Sequence, residues 1–278
     1  MENENAKLDG DVITPKVILR AVAVTVVSAC YVTLFWYKPT AGWAPIKVLN
    51  AFINNSLLSM GVEYWWRFVV RSTGFVALAI GVVWAFGHPP GVLGLGKMAK
   101  KGWRITLTGF VLASPVLVAT GLDPQMHHYY RRIFELHGWK EAVANGLVMF
   151  SEHAFIEGVV LSLALPEGLL AATKDEPVRT GKLSWLGFGM PVLLDVEGRG
   201  KRILAWLGLP KAAIPALVGQ ALVFFMVHVS KPPIELYTSF FGGFLVGFLT
   251  FKVRSVWPGV ILHIGTGWFI LVVIYFAR

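Results

Sequence analysis

An apolar run from about Val143 to Leu165, long enough to cross a bilayer as a helix, carries Glu152, His153 and Glu157 in its middle. Each ionisable side chain inside such a run is costly to insert, so the chain must turn all three toward protein or water and away from lipid. At roughly 100° per residue the three fall within an arc of about 140°, with His153 and Glu157 stacked at i,i+4. One helix therefore presents two carboxylates and an imidazole to a single neighbour or cavity. Two more histidines, His228 and His263, lie inside later apolar runs. A polar cluster that only fixes helix packing is the plainer reading. Ionisable residues inside a membrane span default to function, and the five are taken as one candidate site.

Of the 278 residues, 55% are hydrophobic and 15% charged, and the mean hydropathy is +0.63. Soluble domains carry about 25% charged residues, so this is an integral membrane protein. The net charge of +9 does not point to nucleic acid, because Lys and Arg sit in short segments between apolar runs. That is the pattern of positive-inside anchoring and of contact with the bilayer's anionic headgroups. Trp36, Trp43, Trp65, Trp66, Trp103, Trp139 and Trp257 stand near expected membrane edges and fit an aromatic belt. The single cysteine, Cys30, excludes an intramolecular disulfide and a multi-cysteine metal site. The first apolar run has no clear cleavage site and reads as a retained span, and no C-terminal lipidation box is expected.

In chain order, residues 1–16 form a polar tail and 17–278 a single transmembrane helical domain. Spans are expected at about 17–37, 68–86, 105–121, 143–165, 212–230, 236–251 and 256–276. Residues 38–66 read as interfacial, and 122–142 as a polar connection whose His127, His128, Tyr129, Tyr130, Arg131, Arg132 and His137 form an interfacial rim or a site for a headgroup or a substrate tail. The longest polar stretch runs from Pro166 to about Leu183. The apolar piece 185–194 is too short to cross the core and reads as interfacial or re-entrant. Asp195 to Arg202 is a charged loop. Gly243 and Gly247 make a small-xxx-small pair suited to close helix contact, while Phe224 and Met226 read as ordinary packing. Placing the basic segments Lys97–Arg104 and Lys252–Arg254 on the cytoplasmic side gives seven spans, with the N-terminus inside. The fold class is thus an all-α polytopic bundle of seven or eight transmembrane helices.

With these sites placed, the chain resembles the CPBP intramembrane protease family (CAAX-processing and bacteriocin-processing proteins, also called Abi) over roughly residues 90–270. The family's first motif, Glu-Glu-x-x-x-Arg followed by Gly, aligns with Glu152-His153-Ala154-Phe155-Ile156-Glu157-Gly158. Its second, Phe-x-x-x-His, is matched by Phe224 to His228, and its third, His-x-x-x-Asn, in part by His263 to Gly267. The leading glutamate and both histidines are kept. The second glutamate has become His153, the arginine Glu157 and the asparagine Gly267. The resemblance implies an intramembrane peptidase in which Glu152 activates water while His228 and His263 orient it or stabilise an oxyanion.

Taken on their own chemistry, three imidazoles and two carboxylates (His153, His228, His263, Glu152 and Glu157) are also a plausible ligand set for zinc, or for non-haem iron if positions stay open. Glu157 in place of arginine is expected to raise the local negative charge, which a divalent metal would relieve. The expected function is a CPBP-like hydrolase, metal-assisted or not, acting on a membrane-anchored peptide or lipid-like substrate. The alternatives are a metal-dependent membrane oxidoreductase or lipid-modifying enzyme, and a non-catalytic membrane binding protein.

Overall fold

A computed structural model of the chain describes residues 13–35, 55–56, 59, 64–85, 87, 93–96, 98, 100–137, 139–165, 209–229 and 231–277. The expectations for the tail before residue 13, most of 38–63, the polar stretch 166–183, the short apolar piece 185–194 and the charged loop 195–202 lie outside the described residues.

The described chain is helical: α1 (Pro15–Phe35), α2 (Tyr64–Ala85), α3 (Lys100–Gly121), α4 (Pro124–His137) and α5 (Trp139–His153). A π-helical segment, Ala154–Val160, carries α5 on into α6 (Leu161–Ala164). Beyond the undescribed stretch, a 3-10 turn (Lys211–Ala213) opens α7 (Ile214–Val227), followed by α8 (Pro233–Val253) and α9 (Trp257–Phe276). Among the described residues, five stretches are long and apolar enough to cross a membrane: Pro15–Thr33, Gly102–Gly121, Val143–Ala164, Pro233–Val253 and Trp257–Phe276. Two shorter apolar stretches, Ser72–Ala85 and Lys211–Val227, lie where further spans were expected. The outer faces are greasy, as in Leu19, Leu112 and Phe241, each about 70% exposed. Contiguous exposed apolar faces of this kind belong against lipid. The protein is an integral, multi-pass membrane protein of the all-α class.

Residues 122–142 differ from expectation. The polar connection is itself helical, made of α4 and the start of α5. Asp123 caps α4, its Oδ1 accepting the backbone N–H groups of Gln125 and Met126 at 3.0 Å, and Pro124 takes the first helical position. The helical period then turns Tyr130 inward and leaves His128 and Arg131 exposed.

The π segment is the hub. It touches α2, α5, α6, α7, α1 and α8, and all seven of its residues are buried. α7 packs between α1 and α8, and its Ala216, Leu217, Gln220, Ala221, Val223 and Phe224 are fully or nearly buried. The glycine pair works as its spacing suggests. A Cβ on Gly243 would meet the Phe224 side chain, and one on Gly247 would meet Gln220 and Leu217. The two basic segments meet at one end of the bundle. A Cβ on Gly102 in α3 would strike Val253 at the end of α8, and Val256 N–H donates to the Gly94 carbonyl at 3.0 Å. Arg254, in the left-handed region at φ 58°, ends α8 there.

Gly247→Val should overpack the α7–α8 contact and lower stability by about 1–3 kcal/mol. Gly242→Ala should leave stability unchanged, since nothing lies within 4 Å of the added Cβ. Reversible unfolding of the two variants in micelles compares them directly.

Candidate active site

Glu152 and His153 close α5 just where the helix rewinds. A π turn closes its hydrogen bonds five residues apart, is rare inside helices and concentrates at functional sites. Here it begins at the residue after His153 and contains Glu157. Glu152, His153 and Glu157 are all buried, His153 completely. Taken out of water, they must satisfy one another or find partners on neighbouring helices.

They do both. His153 Nδ1 lies 2.5 Å from Glu157 Oε2, and its Nε2 lies 2.9 Å from Nδ1 of His263 on α9. The second oxygen of Glu157 accepts a hydrogen bond from Gln220 Nε2 of α7 at 2.9 Å. α9 comes this close because residue 259 is glycine: a Cβ there would press on the His153 ring and on Val246. Gln220 of α7, Glu157 of the π segment, His153 of α5 and His263 of α9 thus form one hydrogen-bonded chain.

His228 stands at the C-terminal end of α7. Its Nδ1 donates to the Phe224 carbonyl at 2.9 Å, which leaves Nε2 as the acceptor of the neutral ring. Glu152 Oε1 lies 3.9 Å from Nδ1, and Glu235 Oε1 of α8 lies 3.9 Å from Nε2. The His228 and His263 rings stack with centroids 5.7 Å apart. Phe224 lies against all three imidazoles, at 4.7 Å from His228, 5.5 Å from His263 and 5.7 Å from His153. It is more than ordinary packing: it is the wall around which the three rings are grouped. All five residues singled out from the sequence converge.

Four further residues belong to the cluster, of which the sequence reading named only Tyr130, as part of an interfacial rim. Gln220 is one. The others form a charged edge: Tyr130 donates to both Glu235 oxygens at 2.8 and 2.9 Å, while Lys231 lies 3.5 Å from Glu235 and donates to the Tyr130 oxygen at 3.3 Å. Burial, the largest effect, pushes the Tyr130 hydroxyl well above the ordinary phenol range, so it stays protonated. Burial, the largest effect, opposes the charge on Lys231, but the Tyr130 oxygen that accepts its hydrogen bond and the Glu235 carboxylate outweigh it and hold its ammonium above the usual lysine range. The Lys231 side chain is 28% exposed, so this edge reaches the surface. The legible signal was Lys231-Pro232-Pro233-Ile234-Glu235, a helix start with a carboxylate in its first turn.

Among the described residues no group of three or more His, Cys, Asp and Glu side chains is disposed to hold a metal ion. Both ring nitrogens of His153 and Nδ1 of His228 are engaged within the protein, so few lone pairs converge on a common point. The expected excess of negative charge also has an internal answer. Glu157 does not stand alone, because its i,i+4 neighbour His153 can carry the positive charge. Relative to the motif it resembles, the chain has exchanged the anion and cation positions of one pair.

The fold and the cluster define a multi-pass membrane protein with a buried Glu/His centre. Residues 183–269 match the family model of type II CAAX prenyl endopeptidases, Rce1-like, so the resemblance to CPBP proteases holds over this Rce1-like region. The region includes His228 and His263 and begins after Glu152, His153 and Glu157. Comparison with curated proteins and with solved structures gave no match.

Replacing Gln220 by Leu should strand the Glu157 carboxyl without its amide donor. The expected loss is about 1–3 kcal/mol of unfolding free energy in micelles, with the spans still inserted.

Proposed function

We propose that the protein is a membrane-embedded peptidase that hydrolyses a membrane-anchored peptide. The observation that carries this reading is the convergence of buried Glu152 and His228 with half-buried His263, from three helices, beside a charged edge. Glu152 acts as the base. It takes a proton from a water molecule as the water oxygen attacks the peptide carbonyl, and returns that proton to the departing amine. His228 accepts from and orients the water through Nε2, and His263 donates from Nε2 to the oxyanion. Apolar walls around the site strengthen these electrostatic interactions.

Water has a short way in. α7 has 14 residues, or about 21 Å of rise, against about 30 Å of hydrocarbon. His228 at its end therefore need not lie at the far membrane face, and the Lys231–Glu235–Tyr130 edge beside it supplies polar partners for solvent. Tyr130 and Arg131 share a largely apolar cavity with Leu271, Val272, Ile274, Tyr275 and Phe276. It suits a hydrocarbon chain, and the name of the matched family supports a lipid-modified peptide as substrate.

The test is cleavage of membrane-anchored fluorogenic peptides, lipid-modified and unmodified, by protein reconstituted in vesicles. Wild type should release the soluble fragment, and Glu152→Gln should fall by about 10²–10⁴-fold. Full activity in that variant would remove Glu152 as the base. Unchanged function with alanine at Glu152, His228 and His263 together would leave only a binding protein.

A further inference from the structure

We propose that the His153–Glu157 pair is a positioning device that fixes the tautomer of His263, holding its hydrogen on Nε2. The proposal rests on the peptidase reading for its catalytic consequence, though not for the tautomer itself.

The argument is one of charge and hydrogen count. His153 and Glu157 are sealed inside the span, at 0% and 1% exposure, and touch through Nδ1 and Oε2. A pair buried this deeply is held near zero net charge, because an uncompensated ion in such a place costs several kcal/mol. Glu152, also buried and one residue away in sequence, makes a second uncompensated anion more costly still.

Zero net charge can be reached in two ways. If the proton sits on His153, both ring nitrogens carry hydrogen, and Nε2–H donates to His263 Nδ1. If the proton sits on Glu157, its hydroxyl donates to His153 Nδ1, and the one hydrogen of the neutral ring is on Nε2. Again Nε2–H donates to His263 Nδ1. Both arrangements deliver the same instruction across the 2.9 Å contact: His263 accepts at Nδ1 and, as a neutral ring, carries its hydrogen on Nε2.

Gln220 strengthens the arrangement by holding the other Glu157 oxygen as an acceptor. Gly259 allows α9 to approach closely enough for the two rings to bond. The result is a neutral imidazole whose remaining nitrogen, Nε2, can only donate, which is what an oxyanion partner requires.

Nitrogen-15 NMR of histidine-labelled protein in micelles reads the tautomer without any substrate. The expected spectrum shows His263 with an unprotonated Nδ1 and a protonated Nε2, and a through-hydrogen-bond coupling between His153 Nε2 and His263 Nδ1. A His263 ring carrying hydrogen on Nδ1 overturns the proposal, whether or not the protein cleaves peptides.

The catalytic consequence is read on the double variant His153→Phe/Glu157→Met, which removes both partners and leaves no lone buried ion. Its kcat should fall by about 10²–10³-fold with KM within about twofold, and His263 should show both tautomers. Glu157→Gln should retain the wild-type tautomer and a kcat within about threefold, because its amide can donate to His153 Nδ1 and still accept from Gln220. A folded double variant with unchanged kcat and an unchanged His263 spectrum overturns the positioning role, and leaves the peptidase reading standing. Wild-type protein with the expected spectrum but no cleavage of any peptide overturns the peptidase reading instead.

Discussion

The hydrogen bond between His153 and Glu157 is the constraint from which the rest of the architecture follows. Lipid offers a buried imidazole and carboxyl no partner, so the two must be satisfied by protein. That requirement draws Gln220 of α7 and His263 of α9 onto one turn of helix. The glycines make the approach possible. Gly247 leaves room for Gln220, and Gly259 leaves room for His153. The polar chain and the small-residue contacts are thus two halves of the same packing problem.

The rewinding of the helix after His153 belongs to this constraint. A π segment gives up regular backbone geometry, and it is tolerated here because six neighbouring elements surround it. Around it the three imidazoles are grouped on Phe224, with Glu152 beside His228. The proposed hydrolysis also requires water, which lipid-facing walls exclude. The short α7 and the charged turn after it meet that need, since Lys231, Glu235 and Tyr130 keep one side of the cluster polar.

The positions at which this chain departs from the motif it resembles are mutually consistent. A carboxylate followed four residues later by a guanidinium is one way to place a neutral pair on a buried face. An imidazole followed by a carboxylate is another, with the charges exchanged. The exchange has a chemical consequence that a simple swap of sign would not suggest. Imidazole has a second nitrogen, and in His153 it is spent on His263. The altered residues are therefore wired into the histidine that was kept.

Much of this was legible from residue order. The span-length apolar runs determined a polytopic helical bundle, because hydrocarbon accepts no other backbone arrangement of this composition. The spacing of Glu152, His153 and Glu157 placed them on one face, and Phe224 to His228 and His263 identified the facing helices. Asp123-Pro124 and Pro232-Pro233 marked helix starts that a reading by polarity alone passed over, so α4 was taken for a connection. What only the tertiary structure decided was who bonds to whom. Gln220, Tyr130, Lys231 and Glu235 are ordinary in their local sequence and acquire their roles from helices far away along the chain. Nor does residue type reveal that both nitrogens of His153 are occupied, which links imidazole, carboxyl and amide in one hydrogen-bonded chain. Composition and periodicity are set residue by residue, whereas the direction of each polar group depends on which neighbour the packed bundle puts within its reach.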